Sequence, residues 1–271
     1  MPFFLTDDAV KLYYEVTGEG SQTLVLVHGW SASSLFFKRQ IPELSKRYRV
    51  VSYDLRGHGR SERPENGYTI ARYAQDLHNL LDFLQLRDVA VAGWSMGTHI
   101  IFDYVKQYGC EYLSKLILID MSAKLITDDT YHVGLYGKFT HEDNLGVLVT
   151  INENWSGFMD AFVPAIYAKT GCKNPEDLKW NFEEAAKNSV TVMARMWITM
   201  SSQDYRDVLP KISVPVLVTY GEESCLYPAE NSRYLGSQIP DAKVVGFAGC
   251  GHGLMLEDPD KFNREVSDFL G

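Results

Sequence analysis

The stretch "VAVAGWSMGTHIIFDYVKQYG" (89–109) decides how this chain folds. Its first six residues form an unbroken apolar run of strand length, and its last twelve carry helical spacing. Between them stands Gly93-Trp94-Ser95-Met96-Gly97. A strand that passes into a helix within five residues needs a very sharp turn, and small residues at 93 and 97 allow the backbone to close. Such a turn lifts Ser95 out of the sheet edge and leaves it at the start of a helix. There the free N–H groups and the helix dipole favour negative charge. The pattern therefore predicts an exposed nucleophile.

Working outward, short β-rich runs alternate with helical patterns on both sides, as expected of a mostly parallel sheet covered by helices. "KLYYEV" (11–16), "TLVLVHG" (23–29), "YRVVSYD" (48–54), "SKLILID" (114–120), "VPVLVTYG" (214–221) and "AKVVGFA" (242–248) read as strands. "FFKRQIPELSK" (36–46) reads as a helix with Pro42 near its start, because proline cannot donate within a helix interior. "TIARYAQDLHNLLDFLQL" (69–86) places Ile70, Tyr73, Leu77, Leu80, Leu81 and Leu84 on one helical face. Further helices are expected at "AENSRYLGSQI" and "DPDKFNREVSDFL".

The alternation stops from about 123 to 205, where the pattern is helical and no sheet strand is evident. Trp155, Phe158, Met159 and Phe162 recur at helical spacing, as do Met193, Met196, Trp197 and Met200. Helix packing accounts for most of such stripes. A helical insertion at the C-terminal edge of a sheet would also roof a pocket with apolar side chains, and Trp155 and Trp197 are the candidates for substrate contact. The expected organisation is one core, 1–122 and 206–271, with a helical cap, 123–205, inserted in it.

The 271 residues suffice for one sizeable domain, and 26 Lys and Arg against 35 Asp and Glu give a formal charge of -9. That balance argues against nucleic acid or an anionic membrane as the main partner. Asp7 and Asp8 stand where a secretory signal would be apolar, and no apolar run reaches the 18 residues of a membrane span. Cys110, Cys172, Cys225 and Cys250 match no zinc pattern, so free thiols in a cytoplasmic protein are expected. No ligand cluster or phosphate loop points to a metal, nucleotide or other cofactor.

Two further motifs join the first. His28-Gly29-Trp30 follows the "TLVLV" strand and can aim the Trp30 N–H at the same point as the Met96 N–H, giving two donors for a developing oxyanion. Gly251-His252-Gly253 lies between the last strand and the last helix. A serine needs a base with a pKa nearer neutrality, and His252 suits that role better than His58, His78, His99, His132 or His141.

"LVLVHGW", "YDLRGHGRSERP", "GWSMG", "PVLVTYG" and "GCGHGLMLEDPDKF" together resemble the α/β-hydrolase family, in its order and over nearly the whole chain. The nearest flavour is that of small esterases, lactonases and cofactor-free haloperoxidase-like enzymes. The resemblance implies an eight-stranded, mostly parallel sheet flanked by helices, with a lid after the sixth strand. It also implies Ser95 as nucleophile, His252 as base, and the Trp30 and Met96 N–H groups as oxyanion hole. Asp54, Arg56, Gly57, Gly59 and Ser61 match a turn that is structural in that family.

One departure stands out. The family's acid normally follows the seventh strand in "G-x-x-D", and the aligned residue in "GEESCLYP" (221–228) is Ser224. Asp120, at the end of the sixth strand, is the expected replacement. Glu223 is an alternative if the loop shifts, and a Ser224–His252 dyad or lost catalysis is another. The expected activity is hydrolysis of a small, largely apolar ester of carboxylesterase or lactonase type through an acyl-enzyme. Perhydrolysis or C–C bond hydrolysis on the same residues is the alternative, as is a hydrolase-like receptor for a small ligand.

Overall fold

In the computed structural model, which describes residues 2–271, eight strands form one sheet. They are β1 (Phe3–Leu5), β2 (Lys11–Thr17), β3 (Thr23–Val27), β4 (Arg49–Tyr53), β5 (Val89–Trp94), β6 (Leu113–Ile119), β7 (Val216–Gly221) and β8 (Ala242–Phe247). The order across the sheet is β1-β2-β4-β3-β5-β6-β7-β8. The first two pairings are antiparallel and the rest parallel. The central strands are largely buried, β5 at every residue, because helices cover both faces. Alternation along each strand divides the core in two: Val25, Val27, Val89 and Val91 face one apolar cluster, and Leu24, Leu26, Ala90, Ala92 and Trp94 the other.

The helices are α1 (Ile41–Leu44), α2 (Ile70–Phe83), α3 (Met96–Tyr108), α4 (His141–Glu153), α5 (Trp155–Ala165), α6 (Pro175–Ala185), α7 (Val190–Ser201), α8 (Ala229–Gln238), α9 (Leu254–Glu257) and α10 (Pro259–Leu270). Helix α2 buries Ile70, Tyr73, Leu77, Leu80 and Leu81. The Thr69 side chain accepts the Arg72 N–H at its start, satisfying one of the donors left free there.

Three local expectations change. Strand β1 is too short to show an alternation and was not expected. The helix expected over 36–46 is broken into a 3-10 turn, Ser34–Phe37, and the single turn α1, with Pro42 in the first turn of α1. The first part of the 123–205 stretch is irregular apart from a 3-10 turn at Leu135–Gly137, and α-helix begins only at His141. Helices α4 to α7 then lie between β6 and β7, and an isolated bridge between Lys124 and Asp204 joins the two ends of this excursion.

The edge strands are secured by charge. Arg56 is fully buried, with Nε 2.6 Å from Asp76 and Nη1 2.9 Å from Asp8. Arg72 also contacts Asp76, at 2.7 Å, and pairs with Asp7. Asp7 and Asp8 thus fasten the turn between β1 and β2 to α2. No helix among the described residues is long and apolar enough to cross a membrane.

Candidate active site

Parallel register brings the strand ends together. Gly93 on β5 pairs with Val27 on β3, Trp94 with Ile119 on β6, and Ile119 with Thr219 on β7. Residues just beyond these ends share the C-terminal edge of the sheet, where ligands of open α/β sheets bind.

Ser95 has φ 54° and ψ -123°, a conformation that is sparsely populated outside glycine. Its neighbours hold it there. The Ser95 N–H donates to Ile119 O at 3.0 Å, Ser95 O accepts the Thr98 N–H at 2.8 Å, and Thr98 Oγ1 donates to Gly93 O at 2.7 Å. A Cβ on Gly93 would stand 2.5 Å from the carbonyl of Gly97, so the tight turn requires glycine at 93. A Cβ on Gly29 would come within 2.9 Å of the Ser95 Cβ, so glycine also lets the loop after β3 approach the serine. Among the described residues, neither the Trp30 N–H nor the Met96 N–H is bonded to another protein group.

Asp120 follows β6 at φ 44°, is 1 % exposed, and donates its N–H to Thr219 O at 2.8 Å. Its Oδ2 accepts His252 Nδ1–H at 2.7 Å and the Ser224 hydroxyl at 2.9 Å, while Oδ1 accepts the Gly221 N–H at 3.3 Å. Glu223 is turned elsewhere: its Oε2 accepts the Thr170 hydroxyl at 3.1 Å. His252 is also 1 % exposed, with its carbonyl held by Trp94 Nε1 at 2.9 Å. Glu257 anchors the same loop by accepting the Gly251 N–H at 2.6 Å and the Ala168 N–H at 3.0 Å, and burial raises its carboxyl pKa.

The other histidines on this edge are committed to structure. His28 Nε2 accepts the Leu55 N–H at 3.0 Å, leaving Nδ1 to donate to Gly29 O at 2.9 Å, and burial lowers its pKa. That bond ties the loop after β3 to the 54–61 turn. There Asp54 accepts the Ser34 and Arg60 N–H groups at 2.8 and 2.9 Å. His99 is fully buried, contacts Ser122 O at 2.8 Å, and has its pKa pushed down to about 4 by burial.

Above Ser95 lies a narrow apolar cavity walled by Trp30, Tyr136, Phe162, Trp197, Leu226 and Tyr227 among others. The Trp30 ring is the hub of its roof. Its centroid is 5.3 Å from Phe162, 5.4 Å from Trp197 and 5.9 Å from both Trp155 and Phe158. Of the two tryptophans expected to meet substrate, Trp197 reaches the cavity. Trp155 packs behind Trp30, stacked on Phe158. Sequence reasoning missed Tyr136, Leu226 and Tyr227, which sit on irregular segments without periodicity; the φ of 56° at Tyr136 followed by Gly137 is the local signature of that turn. Among the described residues, no cluster of three or more His, Cys, Asp or Glu is arranged to hold a metal ion, and all four cysteines are unpaired.

A sharp strand-to-helix turn on the C-terminal edge of such a sheet defines an α/β-hydrolase architecture. The family model for the alpha/beta hydrolase fold matches residues 22–259, and the chain belongs to that family. It is 29% identical to the non-heme chloroperoxidase CPO-A1 of Kitasatospora aureofaciens over 279 residues, covering 100% of this chain and 99% of that one. It is 24% identical to the bifunctional esterase/perhydrolase DCH of Acinetobacter calcoaceticus, covering 100% and 99%. Among solved structures, the esterase EaEST from Exiguobacterium antarcticum superposes with a TM-score of 0.90 at 28% identity, covering 98% of each chain.

Proposed function

We propose that this chain is a serine hydrolase that cleaves small, largely apolar esters, of carboxylesterase or lactonase type, through an acyl-enzyme on Ser95. The observation that carries the reading is the 2.7 Å bond between His252 Nδ1 and buried Asp120, beside a serine held in a strained turn. With Nδ1 engaged, Nε2 is the nitrogen available to take the Ser95 proton. Ser95 Oγ then adds to the ester carbonyl, and the Trp30 and Met96 N–H groups receive the oxyanion. The imidazolium returns its proton to the leaving alkoxide, and a water activated by the same nitrogen releases the acid. Asp120 fixes the imidazole tautomer and balances its charge. The 123–205 segment serves as the cap, and its apolar wall favours acyl, aryl or lactone groups over polymers.

The names of the relatives favour a second reading of the same site. Hydrogen peroxide in place of water at the second step would convert the acyl-enzyme to a peracid and free Ser95, with no change in oxidation state at the enzyme. A panel of p-nitrophenyl esters and lactones, assayed with and without peroxide, tests both, together with labelling by a fluorophosphonate. Turnover with label on Ser95 is expected. Label on another residue, or binding of every substrate without turnover, would overturn the proposal.

A further inference from the structure

The residue that stands where an acid was expected has a defined place in the hydrogen-bond network. Ser224 is 5 % exposed, and its Oγ accepts the N–H groups of Leu226 at 3.3 Å and Tyr227 at 3.2 Å. A hydroxyl has two lone pairs and one hydrogen. Both lone pairs are therefore occupied by amides, and the hydrogen is directed at Asp120 Oδ2, 2.9 Å away. The imidazole of His252 uses that same oxygen, at 2.7 Å. One carboxylate oxygen thus serves two donors, while its partner oxygen has only the longer 3.3 Å contact to the Gly221 N–H.

We propose that Ser224 is a positioning residue for the reaction: it holds Asp120 Oδ2 in line with His252 Nδ1 and shares with the imidazole the negative charge of that oxygen. The inference rests on the reading of Ser95, His252 and Asp120 as the catalytic group. A hydrogen bond to an ionised carboxylate stabilises its charge and lowers its basicity. With the hydroxyl in place, the carboxylate pulls less strongly on a protonated imidazole. Without it, the imidazolium is better stabilised, and the fraction of neutral, competent base falls at a given pH.

The other ionisable groups around this pair come from three directions. Next to His252 in the loop after β8 is Cys250, its thiol pushed up to about 11 by burial, and on α9 is Glu257, held by the Gly251 and Ala168 amides. From the turn after β7 come Glu223, engaged with Thr170, Cys225, and Tyr227, whose ring lies 5.6 Å from that of His252. Burial and the Asp120 charge raise the Tyr227 phenol well above its ordinary value, while Tyr136 on the cavity wall is 49 % exposed. Glu257 is the group whose raised carboxyl could add to an acid limb, so the test must read His252 itself.

The test compares wild type, Ser224→Ala and Ser224→Thr. The pH profile of kcat/KM on a p-nitrophenyl ester is measured alongside NMR titration of the His252 imidazole in histidine-labelled protein. Ser224→Ala is expected to lower kcat about tenfold and to move both the acid limb and the imidazole midpoint upward by roughly half a pH unit to one unit. Ser224→Thr keeps the hydroxyl and is expected to restore both. A fall in kcat with the imidazole midpoint unmoved would overturn the proposal and leave Ser224 as a support for two turn amides. Asp120→Asn separates the two levels of the argument. If that variant keeps full activity, the assignment of the acid itself fails, whatever Ser224→Ala does.

Discussion

The strand ends beneath the cavity and the helices above it are built by opposite means. Below, Ser95 and Asp120 both have positive φ, and main-chain hydrogen bonds to adjacent strands fix each of them. Their side chains have little freedom, and the distances that matter are set by sheet register. Above, aromatic residues between β6 and β7 meet Trp30 through ring edges, at centroid separations of 5.3–5.9 Å. Polar contacts add to these: Trp30 Nε1 donates to Met193 O at 3.0 Å, Asn188 Nδ2 to Ser31 O at 3.0 Å, and the Gly253 N–H to Ile166 O at 2.6 Å. Edge contacts between rings contribute roughly 0.5–1.5 kcal/mol each and tolerate sliding.

The contrast breaks if substitutions below and above the cavity have the same kind of effect. The largest change is expected from Ser95→Ala, which should reduce ester turnover by several orders of magnitude while leaving the thermal midpoint nearly unchanged. Retained turnover would remove the serine from the mechanism. Next comes Asp120→Asn, expected to lower kcat about 10^4-fold through the wrong tautomer and an unbalanced imidazolium. Glu223→Gln should be nearly silent in the same assay, and the reverse ranking would place the acid after β7.

Above the cavity, Trp197→Leu should shift the preferred acyl length, changing relative kcat/KM values by about 10- to 200-fold per methylene accommodated or lost. Trp155→Leu should instead lower stability and leave the preference intact, because its ring lies behind Trp30. Equal shifts in both variants would show that the aromatic roof acts as one unit.

The smallest expected effect is a pH dependence that involves no catalysis. His99 is held down to about 4 by burial, against an ordinary value of 6.5. Between these values the unfolded chain binds a proton that the folded one refuses, so stability rises with pH. It is fully present above 6.5 and is lost as pH falls toward 4. His28 and His58 are lowered in the same direction by burial. Thermal midpoints of His99→Gln across this range should fall less steeply than those of wild type. Identical slopes would mean that His99 does not carry the effect.

These regions also differ in how far the sequence reveals them. Ser95 and Asp120 stand just beyond strands whose apolar runs are unmistakable, His252 lies in the loop after β8, and parallel pairing forces those strand ends to one edge. The serine's turn is legible because only small residues permit it. The family resemblance supplied the expectation of an acid near residue 224, and the residue there is a serine bonded to Asp120. The roof is harder to read. A stripe such as Trp155, Phe158 and Phe162 shows which face of a helix is apolar, but not whether that face meets a cavity or another ring. Tyr136, Leu226 and Tyr227 reach the cavity from turns, where no period exists to be read. The break before α1 depended on Pro42, and the three residues of β1 depend on β2 for their existence as a strand.

The bridge between Lys124 and Asp204 has a consequence for how the chain could be assembled and altered. Strands β6 and β7 are neighbours in the sheet, yet they are separated by the whole excursion from Ile119 to Val216. Closing so long a loop is an entropic cost that grows only slowly, by about 0.6 kcal/mol for each doubling of its length. Because the two ends of the excursion meet at one narrow neck, its interior can be lengthened, shortened or replaced without changing the distance the sheet must span. A graft between Lys124 and Asp204 would therefore show directly whether this segment governs what enters the cavity.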